Sequence, residues 1–328
     1  MLEPQQPIVD AHHHLYDRPG LRYLLDEFEA DLRSGHDVRA TVLVQARASY
    51  RPAGPAASQP LGETEAAMRM AASGARAGVA AGIVGYADLT LGDAVRPVLE
   101  EHIRIAGGTT AAGGRMAGIR HITAWDPEPS LFNPAYPASE DLMDSTGFRA
   151  GFAHLGALGL SFDAWVYFHQ LPRLARLARN FPAVPIIVDH CGGVLGTGPY
   201  ARNKREVFEL WSRAMRDLAG CPNITVKLGG LGMPLSGFGF ETQARRPTSP
   251  ELAKAWRPVI ETCIEALGPA RCMFESNFPP DRVSYSYATG WNAMKRLVAR
   301  AGSDEKDALF WRTACRVYGL RPAGLASL

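Results

Sequence analysis

Short apolar, β-branched runs alternate with amphipathic stretches along almost the whole chain. The runs at 8–14, 40–46, 82–87, 117–122, 158–163, 185–190, 224–228 and 272–276 have the length and composition of buried strands. Between them, 63–73, 91–105, 171–180, 204–219 and 251–267 carry apolar residues at helical spacing. Helices of that length between buried strands predict parallel βαβ units, not an antiparallel sandwich. About eight such units in 328 residues predict an α/β fold, a (β/α)8 TIM barrel forming one domain over 1–328. A doubly wound sheet would show fewer strands and a glycine-rich first turn. His12 and His14 stand at that turn instead.

Three stretches are too long for ordinary connections: 48–62 (with Pro52, Pro55 and Pro60), 124–146, and the Gly- and aromatic-rich 231–250. All follow the carboxyl ends of strands, where barrels build their active sites, so they are expected to shape a pocket.

Composition narrows the function classes. A hydrophobic content of 46% with 21% charged residues describes a globular protein with a large core. The net charge of +2 gives no electrostatic reason to expect nucleic acid or an anionic membrane. Cys191, Cys221, Cys263, Cys272 and Cys315 are odd in number and lack Cys-x-x-Cys spacing. They read as reduced thiols, not as a disulfide framework or a thiolate metal site. With no basic leader and no apolar run of about 18 residues, the expectation is a cytoplasmic protein acting on a small molecule, its oligomeric state open.

Functional side chains of a barrel come from the last inward-pointing positions of several strands. On a regular first strand His12 and His14 share a face, with Asp10 one layer below. Two imidazoles there make half of a metal site or a pair of proton donors. Strand two offers Gln45, strand four Arg120 beside His121, and strand five Asp163 with His169 slightly beyond. Strand six offers His190 before two glycines, strand seven Lys227, and strand eight Glu275 and Asn277, followed by Asp281, Ser284 and Tyr287. Unpaired polar groups in a core cost several kcal/mol, so these must face one another, water or a ligand. The planar fork of Arg120 suits a substrate carboxylate, or an ion pair with Glu275 or Asp10. Lys227 has the same alternative with Glu275. Asp281 is the loop carboxylate placed to close over a site. His13 and His121 face away and read as packed residues, and His36, His102 and His154 as surface or satisfied core residues.

The motifs Asp189-His190-Cys191-Gly192, Val226-Lys227-Leu228-Gly229 and Ser276-Asn277-Phe278-Pro279, with Gly118-Ile119-Arg120-His121 and Phe162-Asp163, resemble those of the amidohydrolase superfamily. The nearer likeness is to the amidohydrolase-2 group, which holds 2-pyrone-4,6-dicarboxylate lactonases, sugar-lactone hydrolases and, further off, zinc-dependent decarboxylases. The similarity spans nearly the whole chain. It implies that His12, His14 and His190 are the metal ligands or catalytic histidines, and that Asn277 stands where the group usually carries a strand-eight aspartate. An amide offers a cation no charge and takes no proton from water near neutral pH. No lysine ends strand four, so a binuclear centre is not expected.

Three readings follow. One divalent ion, zinc first, is held by His12, His14 and His190. Alternatively, the site is metal-independent, the histidines and Arg120 polarising a carbonyl while Glu275 or Asp281 serves as base. Thirdly, the barrel only binds a ligand. The expected activity is hydrolysis of a carboxylate-bearing lactone or related cyclic ester, with Arg120, Lys227, Gln45 and His169 contacting substrate. The alternative is zinc-dependent, non-oxidative decarboxylation of an aromatic or dienoic acid.

Overall fold

Eight parallel strands pair in chain order: β1 (Pro7–His13), β2 (Asp37–Val44), β3 (Gly82–Gly85), β4 (Met116–Ile119), β5 (Ser161–Ala164), β6 (Ile186–Val188), β7 (Ile224–Leu228) and β8 (Cys272–Phe274). The computed structural model describes residues 1–74 and 78–325. The ring closes just past β8: His13 bridges Phe278, and His14 N–H donates to the Phe278 carbonyl at 2.8 Å. Every expected run overlaps its strand, and the fold is a (β/α)8 barrel.

The helices follow from their spacing. In Leu171–Asn180, Leu171, Leu174, Ala175, Leu177 and Ala178 are buried, and the arginines between them lie outward. Leu61–Ser73, Lys204–Leu218 and Ser249–Leu267 match their expected ranges closely. The expected helix 91–105 is two pieces, Leu89–Val95 and Arg96–Ile105, because Gly92 leaves helical geometry at φ 59°. Leu25–Leu32, Thr146–Ala157, Tyr287–Leu297 and the carboxyl-terminal segments Ser303–Asp307 and Thr313–Tyr318 were not expected. No helix among the described residues is long and apolar enough to cross a membrane.

One irregularity positions the chemistry. The register of β1 against β2 slips between Asp10 and His13. A bulge of this kind reverses the alternation of faces. Val9 and Ala11 therefore pack in the barrel interior, while Asp10 faces outward, accepting from Ser276 N–H at 2.9 Å and Tyr287 hydroxyl at 2.9 Å. This corrects the expectation that Asp10 lies under His12. Beyond the slip, His12 and His14 turn inward, and His13 stacks on Phe28 at 4.0 Å.

The interior is layered. Val9, Val42, Val84, Ala117, Ile187 and Met273 fill its amino-terminal half, joined by Trp311 and Tyr318 from the chain's end. Above them sit Asp163, Asp189, Lys227 and Glu275, all fully buried.

Candidate active site

His12 lies at the centre of the carboxyl-terminal rim. Its Nε2 is 3.1 Å from Nε2 of His14, and its ring centroid is 4.6 Å from that of His190. Lys227 Nζ lies 3.0 Å from His12 Nδ1, and Arg120 Nη1 lies 3.3 Å from His12 Nε2. Burial pushes His12 down to about 4, and the adjacent ammonium acts in the same direction, so the ring is neutral near pH 7. His14 is held well below its usual value by burial, with His12 and Arg120 adding to the effect. Its Nδ1 is 2.8 Å from the Val44 carbonyl. A carbonyl only accepts, so Nδ1 carries the proton and Nε2 keeps its lone pair.

Lys227 is the counter-ion of the layer. It donates to Asp163 Oδ2 at 2.6 Å and lies 3.0 Å from Asp189 Oδ1. Tyr318 hydroxyl reaches the same Asp163 oxygen at 2.7 Å. Burial opposes ionisation of Asp189, but the Lys227 ammonium overcomes it and holds the carboxyl well below the usual range. Burial leaves Asp163 raised, to about 6, despite Lys227. The expected pairings of Lys227 with Glu275, and of Arg120 with Glu275 or Asp10, give way to Asp163 and Asp189. Arg120 Nη1 is 3.5 Å from Asp189 Oδ2.

Glu275 supports the histidines from below. Its Oε1 accepts from His190 Nδ1 at 2.7 Å and from His190 N–H at 3.2 Å, and its Oε2 lies 3.1 Å from His12 Nδ1. Burial alone would raise this carboxyl; His190, which donates to it, brings it down to about 2. The carboxylate accepts the proton on Nδ1 and fixes the ring, so Nε2 faces away from Glu275. The backbone permits this seat because His190 adopts φ 54° and a Cβ at residue 230 would stand 2.5 Å from the His190 side chain. Only glycine fits there, and Gly230 is present.

Asp281 does not close over the site as a mobile carboxylate. It is fully buried, accepting from Asn277 Nδ2 at 2.7 Å, from Gly232 N–H at 2.9 Å and from Tyr285 hydroxyl. Ser284 and Tyr287 also turn inward, donating to the Gly232 carbonyl and to Asp10. Together they tie the segment after β8 to its neighbours. Gln45 is a framework group whose Oε1 accepts from Arg47 N–H and whose main-chain carbonyl accepts from Arg120 Nη2. His169 pairs with Asp126 at 2.8 Å, outside the cluster around His12. His121 packs between Tyr86 and Phe148.

Sequence reasoning missed Asp189 as a site residue and Tyr318 altogether. Asp189 had a signal, since it shares the inward face of β6 with Ile187. Tyr318 had none.

Among the described residues, His12, Asp189 and His190 form a group whose donor atoms lie within 4.8 Å of one another. Asp163 Oδ1 and Asn277 Oδ1 are buried without a hydrogen-bond partner, and the Asp189 oxygens and Glu275 Oε2 meet Lys227, Arg120 and His12 only as ion-pair contacts. Such an excess of acceptors fits an added cation or ordered water. Beside them Arg120 Nε, on a side chain 5% exposed, is a donor without a partner. A cavity of about 380 Å³, walled by Ile122, Leu131, Tyr136, Trp165, Tyr167 and Met233, opens onto this rim. Trp165 packs edge-on against His190 at 4.7 Å. A larger space of about 510 Å³ lies at the opposite end of the barrel, around Arg39, Arg115 and Leu320, away from the histidines.

A parallel barrel whose carboxyl-terminal rim gathers histidines over buried carboxylates defines a hydrolase of the TIM-barrel class. The chain belongs to the amidohydrolase family (Amidohydro_2), whose profile matches residues 9–320. It is 31% identical over 333 residues to the uncharacterized protein y4mH of Sinorhizobium fredii, covering 95% of this chain and 98% of that one. It is 26% identical over 326 residues to an L-fucono-1,5-lactonase of Burkholderia multivorans, covering 95% and 96%. A crystal structure of a B. multivorans amidohydrolase with bound zinc shares the fold, with a TM-score of 0.72, 24% identity and coverage of 96% and 99%. A Pseudomonas putida protein assigned provisionally as a 2-pyrone-4,6-dicarboxylic acid hydrolase shares it at a TM-score of 0.60, 17% identity and coverage of 96% and 98%.

Proposed function

We propose that the protein hydrolyses a lactone that carries a carboxylate. One observation carries this reading. At one rim the barrel brings together an imidazole oriented by a carboxylate, His190 on Glu275 at 2.7 Å, and a buried guanidinium, Arg120, with an unused Nε–H. The likeness to L-fucono-1,5-lactonase supports ring opening as the reaction class, and Arg120 supports an acid group on the substrate.

Water adds across the acyl–oxygen bond: the carbonyl carbon gains hydroxyl, and the ring oxygen leaves with a proton. Arg120 binds the carboxylate and so fixes the carbonyl near His190. In this reading His190 Nε2, on the ring edge away from Glu275, holds an ion or takes the water proton. Glu275 and Asp281 are committed to internal hydrogen bonds, so Glu275 acts through His190 as a positioning residue. Lys227 keeps Asp189 ionised and in place. His12, Asp189 and His190 would hold a divalent ion, with zinc the first choice from the B. multivorans relative. When bound, such an ion polarises a carbonyl and makes water more acidic.

The test is turnover of a lactone panel, with and without carboxylates, that includes L-fucono-1,5-lactone and 2-pyrone-4,6-dicarboxylate. His190→Ala is expected to lower kcat/KM by roughly 100-fold or more. Arg120→Ala is expected mainly to raise KM for the acidic lactones. Wild-type turnover in both variants would remove the proposal.

A further inference from the structure

We propose that the strand-two side of the barrel mouth is a second anion-recognition point, built from Arg18, Arg47, Tyr50 and Tyr136, which takes a further carboxylate of the substrate, remote from the one held by Arg120. Three separate segments converge there. Arg18, on the hairpin formed by Tyr16–Arg18 and Leu21–Tyr23, donates to the Ala46 carbonyl and to the Tyr136 hydroxyl, and its guanidinium lies 4.2 Å over the Tyr16 ring. Arg47 follows β2 in the left-handed region at φ 56° and donates to the Ala135 carbonyl. Its guanidinium stands 5.6 Å from the Tyr136 ring and 5.9 Å from that of Tyr50.

Arg18 and Arg47 are exposed, and their polar partners named above are carbonyls and a phenol. Other arginines of this protein, such as Arg51, Arg96, Arg104 and Arg173, stand against carboxylates. Cations with no carboxylate in direct contact beside a cavity raise the local concentration of anions. A second, independent sign is the Tyr50 hydroxyl, which is buried near Glu63, Tyr136 and Arg47 and has no hydrogen-bond partner. Such a donor calls for an acceptor.

Tyr136 connects this mouth to the reacting centre. It lies close enough to Arg120 to feel its charge, and it walls the aromatic cavity beside Trp165. Its other side borders a smaller space of about 200 Å³ that includes Arg47 and Asp88. Two negative groups are near: Asp88 at the edge of that space, and Glu63 beneath, which accepts from Ala46 and Ala48 N–H. A planar acid seated against Tyr136 and Trp165 would thus reach Arg120 with one carboxylate and the Arg18–Arg47 pair with another.

The assignment rests on the lactonase reading for what the substrate is, but its test needs no turnover. Isothermal titration with benzene-1,3-dicarboxylate and with benzoate measures the preference directly. The wild-type protein is expected to prefer the dicarboxylate by roughly tenfold or more, and the Arg18→Gln/Arg47→Gln double variant by less than about threefold. Tyr136→Phe is expected to fall between them. Melting curves check that the variants fold, which the exposure of both arginines favours. An absence of preference in the wild-type protein, or a full preference retained in the double variant, overturns the proposal. If the preference holds while no lactone is turned over, the hydrolytic reading fails and the anion site stands.

Discussion

The charged layer beneath the rim and the arginine-bearing mouth above it contain similar side chains in opposite circumstances. Lys227 has no exposed surface and stands between Asp163 and Asp189, within 3.0 Å of each. Arg18 and Arg47 are exposed and rest on main-chain carbonyls. Buried charges are costly to desolvate, so each must be neutralised by the protein itself, and the resulting network holds His12 and His190 in place. Exposed cations carry no such requirement and remain free for a ligand. The lower region is therefore where geometry is fixed, and the upper region where a substrate is chosen.

Three substitutions break or sharpen that contrast, beginning with the largest effect. Lys227→Met leaves Asp163 and Asp189 buried beside each other, with only the more distant Arg120 against Asp189. A loss of about 3–5 kcal/mol in denaturant unfolding is expected, against little change for Arg47→Gln. Equal stability of the two variants would erase the distinction between the regions. Asp10→Ala removes acceptors from Ser276 N–H and Tyr287, which join β1 to the segment after β8. A loss of about 1–3 kcal/mol is expected, with weaker turnover as the histidines lose their backing.

The smallest effect concerns Glu63, at the base of the mouth. Burial raises its carboxyl from 4.5 to about 7, against the pull of the Ala46 and Ala48 N–H groups. The folded state therefore favours the protonated form. Its contribution to stability is full below pH 4.5 and is lost as pH rises through about 7. Glu63→Gln should flatten the fall in stability between pH 5 and 8 by about 1 kcal/mol or more, read from melting curves across that range. A parallel shift of both curves would show that Glu63 does not titrate there.

Much of this molecule was legible before its coordinates. The eight strands were visible because parallel strands buried on both faces are nearly continuous apolar runs. The gathering of His12, His14, Arg120, Lys227, His190 and Glu275 at one rim is legible because side chains at the carboxyl ends of barrel strands converge there. The slip in β1 was not legible. It depends on pairing with β2, and it sends Asp10 outward without any mark in Asp10-Ala11-His12. The burial of Asp281 was hidden for a similar reason, since it follows from Gly232 and Tyr285, which are distant from one another in the chain. At residue 232 even a Cβ would meet the Tyr285 ring at 2.5 Å. The convergence of Arg18 and Arg47 on Tyr136 likewise requires a short hairpin and two loops to meet, and such segments carry no periodicity to read.

The account turns on Glu275 acting through His190. Comparing kcat/KM on an accepted lactone for Glu275→Gln, His190→Ala and the double variant tests this most directly. If the two work as one unit, the double variant will be no slower than His190→Ala alone. Losses that multiply in the double variant would contradict it.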